Sequence, residues 1–331
     1  MLNPKLKLNE NVFSDDVEQT PIRNGFGEGL LEAGKKDKRI VGLCADLTES
    51  TRMEAFAKEF PDRFIEVGIT EQNLASVSSG MAAMGKIPFM SSYAAFSPGR
   101  NWEQIRTTIC YNDVPVKIIG SHAGVSVGPD GGTHQALEDI ALMRSLPNMQ
   151  VIVPCDAHEA RKATLATAQN SHPTYIRLAR EKTPIVTTPD TPFEIGKAQI
   201  LFQSKGEKMD VGIIACGSLV YQALQAAYEL DEQGIKVMVM NMATIKPLDT
   251  DALKSILTTT KAIVTAEEHQ ITGGLGGAIS EYSCANYPVP IEFVGVKDVF
   301  GQSGEPRELF DFYNLNQNAI EEAVYKVLSR K

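Results

Sequence analysis

The chain has 331 residues, of which 43% are hydrophobic, 22% charged and 7% aromatic, so it is an ordinary globular protein long enough for two α/β domains. Its formal net charge of -9 and the lack of a basic run argue against a nucleic-acid-binding protein. It has no apolar stretch of transmembrane length, no signal-peptide core and five cysteines that occur singly. We therefore predict a cytoplasmic protein that does not associate with membranes.

Residues 1–19 are polar and show no regular pattern, so we predict a flexible N-terminal arm. From residue 20 to residue 185, short apolar runs alternate with segments of helical spacing, which is typical of a mainly parallel sheet flanked by helices. The predicted strands lie at residues 39–45, 64–69, 87–90, 114–119, 149–153 and 174–178.

A proline-rich stretch then indicates a linker, which we assign to residues 186–192. A second alternation follows in residues 193–331, with predicted strands at 211–215, 235–240, 262–265 and 291–295. The fold class is therefore α/β, with two consecutive domains built on mainly parallel sheets flanked by helices. The glycines of residues 273–277 lack the G-x-G-x-x-G order, and we interpret them as a helix start packed against the sheet.

Residues 121–135 form the most informative loop, because it holds His122, Asp130 and His134 among glycines directly after a buried strand. Polar residues at the carboxyl end of such a strand point into the ligand crevice of an α/β sheet. Two structural loop histidines are an equally good explanation for this loop taken alone. A zinc site is less favoured, because Cys110 and Cys155 belong to separate predicted elements.

Three further motifs follow other predicted strands: Ala-Asp-Leu-Thr-Glu-Ser at 45–50, Gly-Ile-Thr-Glu-Gln-Asn at 68–73 and Ser-Tyr-Ala-Ala-Phe at 92–96. Arg23 and Arg180 lie at the two ends of the first domain. In this order and spacing, the set resembles the pyrimidine-binding domain and the C-terminal domain of transketolase, a thiamine diphosphate enzyme. The resemblance extends from about residue 20 to the end of the chain.

The sequence differs from complete transketolases in one respect. Those enzymes begin with a domain that holds the cofactor diphosphate and Mg²⁺ through Gly-Asp-Gly followed at a distance by Asn, and this chain contains no Gly-Asp-Gly. The resemblance therefore implies the C-terminal subunit of a split transketolase, active only with a separate N-terminal subunit and assembled as a heterotetramer of two plus two. The partner would hold Mg²⁺, and we predict no metal ligands on this chain.

The resemblance also implies residues that hold and activate the cofactor. Glu71 matches a catalytic glutamate that hydrogen-bonds a ring nitrogen of the aminopyrimidine, although by itself it is equally well explained as a carboxylate at a helix start. Tyr93 and Phe96 match the aromatic wall around that ring, and Met90 occupies a position where the family often has a third aromatic residue. Without the resemblance, these three would be ordinary core residues.

The remaining matches concern catalysis and substrate binding. Asp46 matches a carboxylate near the thiazolium, His134 a catalytic histidine facing the reactive carbon, and Asp130 a catalytic aspartate that bonds a sugar hydroxyl. The group that binds the substrate phosphate matches Arg23, Ser50, His122 and Arg180.

The implied reaction is the reversible transfer of a two-carbon ketol unit from a ketose phosphate to an aldose phosphate. The alternatives are the beta subunit of a 2-oxo acid dehydrogenase, a deoxyxylulose phosphate synthase-like enzyme and a non-catalytic paralogue. The phosphate-binding set argues against a 2-oxo acid dehydrogenase. The presence of Glu71, Asp130 and His134 argues against a non-catalytic paralogue.

Overall fold

The alternating apolar runs form two mainly parallel sheets, one in each half of the chain, with helices packed on them. The computed structural model describes all 331 residues. The predicted α/β fold with two consecutive domains is confirmed. The elements of the first half are β1 (Gln19–Pro21), α1 (Ile22–Lys36), β2 (Ile40–Cys44), α2 (Glu54–Glu59), β3 (Phe64–Glu66), α3 (Glu71–Ala83), β4 (Ile87–Tyr93), α4 (Trp102–Gln104), β5 (Lys117–Ser121), α5 (Asp139–Arg144), β6 (Gln150–Ile152), α6 (Ala157–Thr167), β7 (Thr174–Arg177) and β8 (Lys182–Pro184).

The second half has a similar alternation. Its elements are β9 (Gln199–Gln203), β10 (Val211–Ala215), α7 (Leu219–Glu232), β11 (Val237–Asn241), β12 (Thr244–Lys246), α8 (Thr250–Thr260), β13 (Ile263–Gln270), α9 (Leu275–Asn286), β14 (Ile291–Val296), α10 (Pro306–Phe312) and α11 (Gln317–Leu328). Four of its strands are parallel in the order β14-β13-β10-β11, and β9 pairs antiparallel with β11. No helix is both long and apolar enough to cross a membrane.

The first sheet has the order β12-β6-β7-β5-β4-β2-β3, and all its strands are parallel except β12. Strands β2 and β5 are buried along their whole length, which explains their continuous apolar runs. Strand β12 belongs to the second half of the chain and was not predicted, because three residues are too short to show a period. It pairs antiparallel with β6 through Thr244 and Ile152, and the amide of Val153 donates to the carbonyl of Ala243 at 2.7 Å.

The N-terminal residues pack on the second domain, where the sequence predicts a flexible arm. The amide of Asn3 donates to the carbonyl of Leu201 at 2.8 Å, and the amide of Gln203 donates to the carbonyl of Met1 at 3.0 Å. Val12 is fully buried, and the Phe13 ring lies 4.8 Å from that of Tyr228. The physical reason is that isolated apolar side chains fill a surface of another domain, and such contacts leave no periodic pattern in the sequence.

Helix α1 packs closely on α6, and Gly25 is the point of closest approach. A Cβ atom at Gly25 would overlap the backbone carbonyl oxygen of Ala157, whereas nothing lies within 4 Å of a Cβ at Gly80 in α3. We expect Gly25→Ala to lower the free energy of unfolding by about 1–3 kcal/mol. The control Gly80→Ala should leave it unchanged or raise it by up to ~1 kcal/mol. Urea unfolding of the isolated chain measures both values, and equal effects would contradict the close helix contact.

Candidate functional site

The predicted site residues follow five neighbouring strands of the first sheet, in the order β7-β5-β4-β2-β3, at the ends where these parallel strands finish. Since these ends lie at one edge of the sheet, the residues that follow them come close together. Arg23 joins them from the first turn of α1. The others are Arg180 after β7, His122, Asp130 and His134 after β5, Tyr93 and Phe96 at the end of β4, Asp46 and Ser50 after β2, and Glu71 after β3.

Four rings form an aromatic cluster at this edge. The ring centroids of Tyr93 and His122 are stacked 3.9 Å apart, those of Tyr93 and Phe96 are 6.2 Å apart, and that of His134 lies 5.3 Å from Phe96. Tyr93, Phe96 and His134 are half-buried, so they offer a flat, partly apolar surface to a ligand. Met90 differs from the prediction: it is 0% exposed and packs in the core, because it sits inside β4 and not at its end.

Arg23 contacts two of the other predicted phosphate-binding residues, Ser50 and His122. An Nη of Arg23 donates to the carbonyl oxygen of Ser50 at 2.7 Å and lies 3.1 Å from Nε2 of His122. Because a guanidinium can only donate, Nε2 of His122 accepts, and the ring proton therefore sits on Nδ1, 2.8 Å from the Ser121 hydroxyl. Arg180 stands apart from this group, with an Nη that donates to the carbonyl of Val127 at 2.9 Å and pairs with Glu181 at 3.0 Å.

The electrostatics around Arg23 and His122 favour an anion. Burial, and after it the charge of Arg23, lowers the pKa of His122 to about 3, so the imidazole is neutral at physiological pH. Burial lowers the pKa of Arg23 as well, followed by the charges of Arg52 and Arg180. The Nε of Arg23 is buried without a hydrogen-bond partner. An anion placed here would relieve the mutual repulsion of the cations and satisfy that donor.

Arg52 is a member of this charged group that the sequence prediction missed. Its Nε donates to the side-chain oxygen of Asn24 at 2.9 Å, next to Arg23, and its charge acts on both Arg23 and His122. The available signal was a basic residue two positions after Ser50, in the loop that follows β2. We refer to the three arginines Arg23, Arg52 and Arg180, together with the neutral His122 that they surround, as the cationic cluster.

Glu71 is the first residue of α3 and is 2% exposed. Its Oε2 is buried without a hydrogen-bond partner, whereas a purely structural carboxylate at a helix start is expected to accept backbone N–H groups. Its backbone carbonyl accepts from the side chain of Asn101 at 2.9 Å, which also reaches the hydroxyl of Ser97 at 3.2 Å, next to Phe96. Asn101 thus links the backbone of Glu71 to the segment next to Phe96. The Oε2 atom of Glu71 remains free to accept a hydrogen bond from a ligand.

Asp46 and Asp130 are exposed and take no part in the hydrogen bonds described so far. Asp46 has a left-handed backbone with φ of 60°, and its amide donates to Oε1 of Glu66 at 2.7 Å. The other oxygen of Glu66 accepts from the hydroxyl of Thr48 at 3.0 Å. Glu66 therefore orders the loop that carries Asp46 and Ser50. The sequence prediction missed it, although a carboxylate at the end of β3 was a visible signal.

Comparison with known proteins identifies the family of the chain. Residues 18–186 match the transketolase pyrimidine binding domain, and residues 196–320 match the transketolase C-terminal domain. The putative transketolase C-terminal section of Methanocaldococcus jannaschii is 41% identical over 313 residues, which cover 94% of this chain and 97% of that protein. The 6-deoxy-6-sulfo-D-fructose transketolase subunit SqwH of a Clostridium species is 39% identical over 319 residues, which cover 96% and 98% of the two chains.

The fold agrees with a solved structure described as a split gene transketolase, inactive beta4 tetramer. The two superpose with a TM-score of 0.86 at 44% identity, covering 93% of this chain and 98% of that one. The chain therefore belongs to the transketolase family and comprises the pyrimidine-binding and C-terminal domains of that family.

Proposed function

We propose that this chain is the C-terminal subunit of a thiamine diphosphate-dependent transketolase that reversibly transfers a two-carbon ketol unit from a ketose phosphate to an aldose phosphate. The observation that carries the proposal is the cationic cluster beside the aromatic cluster, because it pairs a ring-binding surface with an anion-binding group. The beta subunit of a 2-oxo acid dehydrogenase would have little use for such an anion-binding group.

The residues fit thiamine diphosphate at its aminopyrimidine end. Tyr93 and Phe96 provide the flat apolar surface that such a ring requires. The unpartnered oxygen of Glu71 is available to hydrogen-bond a ring nitrogen and hold a proton there. When bound, this cofactor supplies an electron sink for breaking a carbon–carbon bond next to a carbonyl group.

We assign the substrate contacts to the loop after β5 and to the cationic cluster. His134 would handle a proton at the substrate oxygens, Asp130 would bond a sugar hydroxyl, and the negative charge of Asp46 would complement the cationic thiazolium ring. Arg23, Ser50, His122 and Arg180 hold the terminal anion, with His122 staying neutral and orienting Arg23. One relative is named as a subunit of a 6-deoxy-6-sulfo-D-fructose transketolase. The sulfo group in that name is an anion, as the phosphate of a sugar phosphate is.

The assembly in this proposal is a heterotetramer of two such chains with two N-terminal subunits. The partner holds the diphosphate and Mg²⁺, because a diphosphate needs a cation and backbone donors and this chain lacks the Gly-Asp-Gly sequence that supplies them in complete transketolases. The five cysteines are free, and four are buried, which supports a cytoplasmic location.

The function is tested by comparing donors in the reconstituted enzyme. Arg23→Ala and Arg180→Ala should each raise KM for a phosphorylated ketose by about 10- to 100-fold, because each removes a charge-assisted contact. With hydroxypyruvate, which has no phosphate, KM should stay within about 2-fold of wild type in the same steady-state assay. The control Arg39→Ala removes an exposed arginine paired with Asp37, before β2 and away from the site, and should change neither value. Equal losses with both donors would remove the support for a sugar-phosphate substrate.

A further inference from the structure

The loop after β5 is held from outside its own domain. The amide of Ser126 donates to Oε1 of Glu268 at 2.7 Å, although the two residues are 142 positions apart. Gly124 has a φ of 89°, and a Cβ atom there would overlap the same carboxylate oxygen. Glu268 lies on β13 of the second domain. The backbone of residues 124–126 is therefore pressed directly against a carboxylate of the other sheet.

Glu268 is itself fixed from several sides. It is 3% exposed, and its Oε2 accepts from the hydroxyl of Ser218, at the start of α7, at 2.8 Å. Its backbone carbonyl accepts from Arg177 at 2.8 Å, and Arg177 is in turn paired with the buried Asp139 at 2.8 Å. Burial raises the pKa of the Glu268 carboxyl. A side chain held in this way has one position, so it can define the position of the loop.

A second contact holds the far end of the same loop. The side-chain amide of Gln135 donates to the carbonyls of Val125 and Gly128 within the loop, at 3.1 and 3.2 Å. It also lies 3.0 Å from the carbonyl of Gln302 in the second domain. Asp130 and His134, for which we propose roles at the substrate, lie between these two points of attachment.

We propose that Glu268 is a positioning residue, through which the second domain sets the geometry of the loop that carries Asp130 and His134. Glu268 acts through its hydrogen bonds to the Ser126 amide and the Ser218 hydroxyl and does not touch substrate. The catalytic consequence rests on the proposed function, but the structural consequence does not.

Two conservative variants distinguish the effect of the length of the Glu268 side chain from the effect of its charge. Glu268→Gln keeps the length of the side chain, so its carbonyl can accept from Ser126 and its amide can donate to Ser218. Glu268→Asp keeps the charge but withdraws both oxygens by one methylene. The matched control is Glu267→Asp, because Glu267 is equally buried but accepts only from the amides of Leu275 and Gly276 within the second domain, at 2.7 and 2.8 Å.

Hydrogen exchange of the isolated chain reports the structural effect without any need for activity. We expect Glu268→Asp to speed amide exchange in residues 124–131 by about 10-fold or more, because the shorter side chain no longer reaches the Ser126 amide and that hydrogen bond is lost. Glu268→Gln should stay within about 2-fold of wild type there, and Glu267→Asp should speed exchange only at the start of α9. In the reconstituted enzyme, Glu268→Asp should lower kcat by about 10- to 100-fold and change KM less than kcat.

If Glu268→Gln loosens the loop as much as Glu268→Asp, the charge of the carboxylate is needed as well as its length, and Glu268 still positions the loop. The proposal is overturned if neither variant changes exchange in residues 124–131, or if Glu267→Asp loosens the loop equally. If the wild-type complex shows no ketol transfer, the proposed function fails, and the exchange data alone decide whether Glu268 positions the loop.

Discussion

Purified by itself, the chain is expected to show no measurable ketol transfer and only weak affinity for thiamine diphosphate. Activity should appear when the N-terminal subunit, the cofactor and Mg²⁺ are added together. The physical reason is that a diphosphate must be neutralised by a cation and by backbone donors, and the Gly-Asp-Gly sequence that provides these in complete transketolases is missing from this chain. A coupled assay of ketol transfer, with the partner titrated against a fixed amount of this chain, measures the effect.

The titration should saturate at one partner per chain if the complex contains two of each. The N-terminal subunit alone is the control and should also be inactive, because the aromatic and cationic clusters belong to this chain. Robust activity of the isolated chain, free of any partner, would contradict the split-enzyme proposal. Cofactor binding, measured by calorimetry with and without the partner, separates a failure to bind from a failure of catalysis.

Glu71→Gln in the reconstituted, cofactor-loaded complex is expected to slow exchange of the thiazolium C2 proton by about 100- to 10,000-fold, the range of a general acid–base contribution. The amide can no longer share a proton with the ring nitrogen, whereas Glu71→Asp retains a carboxyl and should be less damaging. Deuterium exchange followed by acid quench and NMR measures the rate.

Glu59→Gln is the matched control, because Glu59 is exposed at the end of α2. It should exchange at the wild-type rate. Circular dichroism and cofactor content establish that each variant is folded and loaded. An unchanged exchange rate in a cofactor-loaded Glu71→Gln complex would assign Glu71 a structural role at the start of α3. A carboxylate in that position stabilises the helix by interacting favourably with the helix dipole.

The sequence predicts the parallel strands of both sheets because these depend on local pattern, but it misses the antiparallel strands β9 and β12. Parallel strands covered on both faces appear as short apolar runs, and Asp46 and His122 come within two residues of the ends of β2 and β5. The bounds differ by a few residues: the strand predicted at 114–119 is Lys117–Ser121 in the structure.

What could not be predicted depends on contacts between distant parts of the chain. The charge of Arg52 lowers the pKa of His122, and the carboxylate of Glu268 accepts a hydrogen bond from the Ser126 amide. No periodic pattern in the sequence relates the two residues of either pair. The burial of Val12 could not be predicted for the same reason. Val12 belongs to a polar segment of the sequence, but its side chain is buried against the second domain. The resemblance predicts Met90 in the wall around the ring, but Met90 lies within β4 and its side chain fills the core.

Strand β12 bears on whether the two halves of this chain are separable. Its pairing with β6 covers the hydrogen-bonding edge of the first sheet with residues that come from beyond the linker. A first domain cut at residue 190 would expose the N–H and C=O groups of β6, which is a template for edge-to-edge aggregation. Movement of the second domain about the linker would have to break the same pairing. The linker therefore connects two parts of one cooperative unit and does not serve as a hinge between them.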